Sequence, residues 1–434
     1  MAAAGRLSVR YRFTRWPRLA NAHVTFPRAA IHRPLIDGHP SGHFALLASE
    51  SEINPTKGSD VKLNRTGLAL GLLAAGALAL GACSSSGNGN SGDTISPAGN
   101  TGSNSGGIAC SSGRLNGSGS TAQTNAMDKW RKDYQQACDG AQINYDSIGS
   151  GDGIAAYGDG TADWAGSDAA LQSDDISGTP KNCATKDSLD LPMVVGPIAV
   201  EYNLQGVAGL TLDGPTIAKI FTGKITTWDD PAIKALNSGV GLPSTDITPF
   251  YRSDDSGTTF NFASYLAAAA PDDFTATPDK VSAGLGFNGQ GREGSQGVTD
   301  SVTQTDGGVG YAELSYAAKA GLPTASIDSG SGPVQLDKDT ASKAVSTAQV
   351  VGTGDDLSLS IDYAQNTPDA YPLVLVTYEI VCQKYKDAAT ATFVKNFLSY
   401  TISDAGQGVL TGLGYAPVPT ELAAKVMQSL ATVS

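Results

Sequence analysis

The sequence predicts an α/β protein, and three observations support that fold class. Short apolar runs that suit strands alternate with amphipathic stretches that suit helices over residues 108–434, which is typical of a largely parallel sheet. Two helical stretches open with proline, the residue favoured at the first helical position. Glycine- and hydroxyl-rich segments lie where strands give way to helices, the edge of the sheet at which α/β proteins collect ligands. At 434 residues, the chain is long enough for two domains.

Each element follows from its local sequence. The first predicted helix, 124–138, carries Met127, Trp130 and Tyr134 at three-to-four spacing, which gives it one apolar face. The predicted strands are 142–148, 191–202, 247–251, 308–314 and 371–381. The other predicted helices are 215–221 and 231–236, which both open with proline, followed by 259–269, 388–402 and 420–431.

The start of the chain resembles a lipoprotein leader. Lys62 and Arg65 precede the apolar stretch 67–82, which is too short to span a bilayer comfortably but suits a secretion signal. Small residues then precede Cys83, as in a bacterial lipobox. This resemblance implies a signal peptide over 61–83 and lipid on Cys83, which would tether the protein to the outer face of the cytoplasmic membrane.

Residues 1–60 do not fit a simple leader, because an arginine-rich and acid-poor segment precedes the signal. Two interpretations stay open: translation starts near Val61, or the segment is a long positively charged n-region. From residue 84 to 107 the chain is almost entirely Ser, Gly, Asn and Thr. Such a composition has no apolar run to bury and predicts a flexible tether.

Charge and histidine content exclude several classes of function. After Cys83, 19 Lys and Arg stand against 38 Asp and Glu, a formal net charge of −19. That surface argues against nucleic acid as a partner and requires any anion site to be built from local donors. All four histidines precede Cys83, so the rest of the chain has no Ser-His-Asp relay and no histidine-ligated zinc. They are His23, His32, His39 and His43.

Four cysteines remain after Cys83, and an even number in an exported protein predicts two disulfides with three possible pairings. We expect Cys110 to pair with Cys138 and Cys183 to pair with Cys382. Buried free thiols are the alternative.

The segment from Arg252 to Thr258 has the residues that hold an oxyanion. A guanidinium and a Ser-Gly-Thr turn follow a predicted strand and precede a predicted helix, whose N–H groups and dipole would face the same point. Segments 114–121 and 148–153 share this glycine and hydroxyl design. Segment 160–168 ends in Asp168. A capped helix beside a surface ion pair is the plainer interpretation of the first segment alone.

These segments, in this order, resemble the phosphate-binding proteins of bacterial ABC-type phosphate importers, the PstS family. The run from 220 to 237, Ile-Phe-Thr-Gly-Lys-Ile-Thr-Thr-Trp-Asp-Asp-Pro-Ala-Ile-Lys-Ala-Leu-Asn, resembles a stretch typical of that family, and segments 307–311 and 414–417 match as well. The similarity covers residues 108–434. It implies a two-lobed periplasmic-binding-protein fold of type II with the ligand in the interlobe cleft. We expect lobe I to comprise 108–203 plus 371–434, and lobe II to comprise 204–370.

The resemblance also implies the ligand set. The family's phosphate ligands correspond to Thr121, the backbone N–H of Ala122, Ser150, Asp168, Arg252, Ser256, Gly257 and Thr258. Many members have phenylalanine at the position of Ala122, so the apolar wall of the cleft differs here. Asp254 corresponds to the acid that orients the arginine, whereas we expect Asp255 to lie in a solvated turn.

Asp168 is the residue on which specificity is expected to depend. Inorganic phosphate near neutral pH carries a P–OH that can donate to a carboxylate, whereas sulfate is fully ionised and cannot. The resemblance therefore implies a non-catalytic phosphate carrier, expected to be a monomer without metal or cofactor, that docks on a membrane permease. The alternatives are a binding protein for sulfate, molybdate or a phosphonate, a secreted phosphatase, or an adhesive lipoprotein. Asp168 opposes the first two anions, and the absence of histidine and of a dense carboxylate cluster opposes the phosphatase.

Overall fold

The computed structural model describes residues 107–434. The predicted extension 1–60, the signal peptide 61–83 with Cys83, and all but the last residue of the tether 84–107 lie outside the described residues. Within them, no helix combines the length and apolar character needed to cross a bilayer.

Strands and helices alternate through the described region. The strands are β1 Gly113–Gly119, β2 Ala141–Ser147, β3 Trp164–Ser167, β4 Ser188–Asn203, β5 Thr211–Asp213, β6 Thr248–Arg252, β7 Gln290–Arg292, β8 Gly308–Glu313, β9 Ser326–Asp328, β10 Pro333–Val334, β11 Gln349–Val350, β12 Leu359–Ser360 and β13 Val374–Cys382. The α-helices are α1 Thr124–Ala137, α2 Ser150–Asp159, α3 Gly214–Phe221, α4 Pro231–Leu236, α5 Gly257–Ala269, α6 Gly294–Gln304, α7 Leu314–Ala320, α8 Lys338–Val345, α9 Ala388–Ile402, α10 Asp404–Gly408 and α11 Thr420–Thr432. Two short 3-10 turns lie at Ser282–Gly284 and Thr411–Leu413.

The largest sheet is mixed and has eight strands in the order β2-β1-β3-β13-β4-β8-β6-β7. Strands β2, β1 and β3 run parallel and form the first strand group. Strands β8, β6 and β7 also run parallel and form the second strand group. Between the groups, β13 and β4 are antiparallel to each other and to their outer neighbours. The prediction of an α/β fold with parallel strands is therefore confirmed.

Strand β4 connects the two groups because it changes partner along its length. Its residues up to Pro197 pair with β13, and those from Ile198 onward pair with β8. All of its sixteen residues except the first and last are buried, as expected for a strand covered on both faces. The predicted crossing strands 191–202 and 371–381 correspond to β4 and β13, while the lobe boundaries themselves stay a prediction.

Most of the predicted helices begin at an N-cap side chain that forms a hydrogen bond to the first turn. Asp213 and Asp230 cap α3 and α4 through hydrogen bonds to first-turn N–H groups, and proline occupies the first turn of both helices. Asp387 caps α9 in the same way. Helix α5 begins at Gly257, two residues before the predicted start, because Ser256 rather than Thr258 accepts the capping hydrogen bond, from the Thr259 N–H.

The structure confirms both expected disulfides, Cys110–Cys138 and Cys183–Cys382. The first joins the residues before β1 to the end of α1. The second joins the loop after β3 to the last residue of β13, across a sequence separation of 199 residues.

Candidate functional site

The predicted ligand residues meet where strands β1, β3 and β6 end and helices α2, α5 and α6 begin. Asp168 directly follows β3, and its Oδ2 accepts a hydrogen bond from Ser150 Oγ, at the start of α2, over 3.3 Å. The same Ser150 Oγ accepts from the Gly257 N–H of α5 at 3.1 Å. Arg252, the last residue of β6, is 1% exposed. The hydroxyl, carboxylate and guanidinium groups singled out from sequence therefore share one buried site.

Asp168 accepts hydrogen bonds from three side-chain hydroxyls. Ser120 Oγ lies 2.7 Å from its Oδ1 and 2.8 Å from its Oδ2. Thr377 Oγ1, on β13, donates to Oδ1 at 2.7 Å, and Ser150 contributes the third. The backbone of Asp168 is also held, because Asn261 Nδ2 donates to its carbonyl at 2.7 Å. The carboxylate is thus fixed from several elements at once.

The surroundings of Asp168 act on its pKa in opposite directions. Burial raises the pKa of Asp168 to about 6, and the negative charge of Glu313 adds to the rise. Hydrogen bonds from Ser120 and Thr377, together with the charge of Arg252, oppose it. The carboxyl is therefore ionised above that value and protonated below it.

Arg252 forms a bidentate contact with Asp254, the residue that the resemblance assigns to its orientation. Arg252 Nε donates to Asp254 Oδ1 at 2.7 Å, and Arg252 Nη2 donates to Asp254 Oδ2 in a bidentate pair. Burial opposes ionisation of both groups, but the hydrogen bonds and charge of each partner raise the pKa of Arg252 and lower that of Asp254. The Gly294 N–H also donates to Asp254 Oδ1 at 3.0 Å. Both side chains therefore stay charged inside the protein.

Helix α5 directs its first N–H groups toward the site. Its cap, Ser256, accepts from the Thr259 N–H at 3.2 Å, and the Gly257 N–H donates to Ser150 Oγ. First-turn N–H groups have no acceptor within their own helix. Those of Gly257 and Thr259 are bonded to serine hydroxyls, whereas that of Thr258 has no acceptor in the described part of the chain. The Thr258 hydroxyl donates to Glu313 Oε1 at 2.8 Å and accepts from Arg252 Nη1 at 3.3 Å.

Only glycine fits at two positions of the site. A Cβ on Gly257 would lie 2.5 Å from Ser150 Oγ and 2.7 Å from Asp168 Cβ. Gly149, before α2, has φ +101° and would direct a Cβ to within 2.7 Å of the Asp255 carbonyl oxygen. The two backbones therefore approach closely enough for the Gly151 N–H to donate to that carbonyl, at 3.1 Å. Asp255, expected in a solvated turn, is half-buried, with a buried Oδ1.

Thr121 and Ala122 form the turn between β1 and α1. Thr121 Oγ1 lies 3.0 Å from Ser295 Oγ and accepts from the Ser295 N–H at 3.2 Å. The Ala122 N–H, which the resemblance assigns to the ligand, donates to Ser120 Oγ at 3.0 Å. Tyr415 donates to the carbonyl of Ala122 at 2.7 Å, which fixes the turn from the other side.

Four residues of this site were not identified from the sequence: Ser120, Ser295, Glu313 and Thr377. Ser295, fully buried, accepts from Arg252 Nη1 at 3.1 Å and begins helix α6 after β7. Its Gly-Ser turn between a strand and a helix has the same design as the three predicted segments, so that signal was present. Thr377 and Glu313 lie within strands, where sequence alone does not reveal which residues face this cluster. Across residues 107–434, no group of three or more His, Cys, Asp or Glu is arranged to hold a metal ion.

Sequence comparison finds relatives that match most of the chain. Residues 100–405 match the family described as PBP superfamily domain. Phosphate-binding protein PstS 3 of Mycobacterium tuberculosis is 41% identical over 379 residues, which are 86% of this chain and 100% of that protein. Phosphate-binding protein PstS 2 of the same organism is 39% identical over 383 residues, again 86% of this chain and 100% of the relative.

Solved structures show the same fold. A high-affinity periplasmic phosphate-binding protein, PfluDING, solved with phosphate at pH 8.5, aligns with a TM-score of 0.60 at 24% identity over 73% of this chain and 93% of that chain. A phosphate-binding protein from Stenotrophomonas maltophilia aligns with a TM-score of 0.57 at 20% identity, over 73% of this chain and 94% of that one. These neighbours have the two-lobed type II fold, which confirms the predicted fold class, while the assignment of the two strand groups to lobes stays a prediction. By its family match and its identity to full-length relatives, the chain belongs to the PstS family of phosphate-binding proteins within the PBP superfamily.

Proposed function

We propose that this protein captures inorganic phosphate between its two lobes and delivers it to the permease of an ABC-type phosphate importer. One observation carries the proposal: buried hydroxyl, backbone and guanidinium donors surround a carboxylate that can only accept hydrogen bonds when ionised. A protonated oxyanion fits both kinds of group, because its oxygens accept from the donors and its O–H donates to the carboxylate. Its relatives PstS 3 and PstS 2 are named as phosphate-binding proteins.

The hydrogen-bonding capacity of Asp168 supports phosphate over sulfate. A carboxylate offers about four lone-pair positions. Ser120, Ser150 and Thr377 can each supply one proton, which leaves about one position for a donor from the ligand. The P–OH of phosphate fills it. Sulfate has no proton to give and would bring its charge against an unpaired carboxylate lone pair, which costs binding energy.

The charges of the site support binding of an anion by helix dipoles together with one cationic side chain, Arg252. Arg252 is already neutralised by Asp254, so the guanidinium alone does not balance the ligand charge. The starts of helices α2, α5 and α6 supply N–H groups and positive dipole ends instead. In our proposal Thr121, Ala122, Ser150, Ser256, Gly257 and Thr258 provide these polar contacts, with Arg252 as the only cationic ligand.

Cellular placement follows from the leader. We propose that Cys83 carries lipid, that residues 84–107 tether the binding domain at the outer face of the cytoplasmic membrane, and that the protein acts there as a monomer. The role is transport without catalysis, because the site holds its ligand by hydrogen bonds and offers no nucleophile with an adjacent histidine base.

Calorimetric titration of the purified protein with phosphate and with sulfate at pH 8 tests the function. We expect saturable binding of phosphate and at least a thousandfold weaker response to sulfate, since sites built around a required hydrogen bond reject analogues by about four to five powers of ten. Equal binding of both anions would refute the phosphate assignment. An assay with a phosphate ester tests the phosphatase alternative, which predicts release of phosphate.

A further inference from the structure

The three hydroxyls around Asp168 come from three separate elements and converge on one carboxylate. We propose that Thr377 and Ser120 are specificity-determining residues: by donating to Asp168 they keep it ionised, and therefore able to accept the ligand's proton, at neutral pH. This inference rests on the proposed function. The hydroxyls of Ser120, Ser150 and Thr377, which we call the hydroxyl shell, would then determine the selectivity for a protonated oxyanion together with Asp168 itself.

The backbone fixes the direction in which two of these hydroxyls donate. Ser120 Oγ accepts from the Ala122 N–H at 3.0 Å, so its own proton is free for Asp168. Ser150 Oγ accepts from both the Gly257 N–H and the Asp168 N–H, at 3.1 and 3.2 Å, so its proton also points to the carboxylate. These hydroxyls therefore act as donors, and a protonated Asp168 would lose one of their hydrogen bonds.

Thr377 is the most specific member of the shell. It lies on β13 between the two strand groups, is fully buried, and places Oγ1 2.7 Å from Asp168 Oδ1. Its backbone is held in the ladder between β13 and β4, opposite Val194. Because this strand holds the hydroxyl in place, its hydrogen bond stabilises the ionised form of Asp168 without a cost for ordering the Thr377 side chain.

The other groups that face Asp168 make this contribution necessary. Glu313 on β8 opposes ionisation of Asp168 through its negative charge. Glu379 on β13 and the phenols of Tyr145 and Tyr363 also face Asp168, but burial raises the pKa of each, so that they hold their protons and add no charge at neutral pH. Arg252 favours ionisation, but its guanidinium is paired with Asp254. The hydroxyl shell is therefore the main local support of the carboxylate.

Loss of that support changes what the site can recognise. A hydrogen bond to a charged acceptor favours the ionised form, so its removal raises the pKa of the carboxyl. A protonated Asp168 presents an O–H that can donate to a fully ionised anion such as sulfate. Selectivity would then weaken at any pH at which Asp168 keeps its proton.

The test measures sulfate and phosphate affinity between pH 5 and 9 in wild type and in Thr377→Val, which keeps the shape of the side chain and removes the hydroxyl. In wild type, sulfate binding should appear only as the pH falls toward 6. In Thr377→Val the onset should move to higher pH, and the phosphate-to-sulfate affinity ratio at pH 7 should fall about 10- to 100-fold, the range that one hydrogen bond to a charged group spans.

Thr377→Ser restores a hydroxyl and should return the onset to its wild-type position. Thr401→Val is the matched control, because Thr401 is an equally buried hydroxyl that bonds Leu398 and Met193 away from the site. If Thr377→Val does not fold, Ser120→Ala tests the same idea through the second donor. An unchanged sulfate onset in a folded variant overturns this inference and leaves the proposed function intact, whereas wild type that fails to bind phosphate refutes the function itself.

Discussion

At the scale of single residues, the proposed recognition of phosphate depends on two charged side chains, Asp168 and Arg252. Both are buried, and each is held by polar partners before any ligand contact is considered: Asp168 by the hydroxyls of Ser120 and Thr377, and Arg252 by the carboxylate of Asp254. Such support lowers the cost of ordering side chains when a ligand binds. In our proposal, less of the hydrogen-bond energy is therefore spent on ordering these two side chains, and more of it is available for selectivity.

Asp168→Asn should reverse part of that selectivity. The amide removes the negative charge and offers an N–H, so we expect phosphate affinity to fall and sulfate affinity to rise, with their ratio changing by at least 100-fold. Calorimetry with both anions at pH 8 measures this ratio. A variant that folds and keeps the wild-type ratio would remove Asp168 from the mechanism.

Asp254→Ala should destabilise the protein as well as weaken binding. It leaves the Arg252 guanidinium buried without its partner, and breaking a buried ion pair costs about 3–5 kcal/mol of unfolding free energy. Urea unfolding measures the loss. Asp159→Ala is the control, since its pair with Lys181 is largely exposed and should contribute less than about 1 kcal/mol. Equal losses in both variants would contradict the role assigned to Asp254.

At the scale of elements, the central strands carry buried acids that make stability depend on pH. Glu379 on β13 and Glu201 on β4 are fully buried, and desolvation is the main reason that the pKa of each rises to about 8. Gln123 and Trp164 oppose part of the rise at Glu379. The folded protein therefore holds protons at these carboxyls that the unfolded chain releases.

The sign of the pH effect follows from that difference. Stability from a protonated Glu379 is fully present below the ordinary glutamate pKa of 4.5 and is lost as the pH rises toward 8. Between those values each such group contributes a slope of about 1.4 kcal/mol per pH unit. We expect Glu379→Gln to flatten the decline in unfolding free energy and to be more stable than wild type at pH 9. Denaturant unfolding at pH 5, 7 and 9 measures it, and parallel curves would contradict the prediction.

Elements with strong local signals were predictable from the sequence, and those of ambiguous composition were not. The proline-initiated helices α3 and α4 and the continuously apolar strand β4 were predicted at nearly their observed positions. Strand β1, Gly-Arg-Leu-Asn-Gly-Ser-Gly, was not, because it is half Gly and Ser and is stabilised by pairing with β2 and β3. Helix α6 was missed for a similar reason, since its sequence is rich in Gly, Ser and Thr.

The same division holds within the site. Arg252 and the glycine-hydroxyl turns could be identified from their composition, and Asp168 was identified from the family resemblance. The contribution of Thr377 depends on the register of β13 beside β3, in which Tyr378 stands opposite Ser167, and no local pattern encodes that pairing. Long-range strand register is therefore the part of the site that the sequence alone could not predict.

At the scale of the whole molecule, one ion pair joins segments that the sequence assigns to different lobes. On the predicted lobe boundaries Asp175 belongs to lobe I and Lys280 to lobe II, and their side chains meet at 3.0 Å with exposures of 19% and 14%. The carbonyl of Lys280 accepts from the N–H of Ser256, the residue that caps α5. The pair is thus connected through the backbone of Lys280 to the start of helix α5.

Lys280→Met should accelerate phosphate release. A partly buried pair of this kind contributes about 1 kcal/mol, so we expect release to be about fivefold faster with association little changed. Stopped-flow displacement of phosphate measures the rate. Lys280→Asp combined with Asp175→Lys should bring release back toward wild type, and Lys129→Met, which breaks an exposed pair within α1, should have no effect. Release that stays at the wild-type rate in Lys280→Met would show that the pair does not hold the lobes together.

The position of Trp164 has an optical consequence. Its indole is fully buried on β3, four residues before Asp168, and its Nε1 lies beside the Glu379 carboxyl. The other two indoles of the described region, Trp130 and Trp228, donate to backbone carbonyls instead. Replacing those two with phenylalanine would leave Trp164 as the single tryptophan of this region, next to a titrating acid. With excitation selective for tryptophan, its emission wavelength would record proton loss at the centre of the sheet without any attached dye.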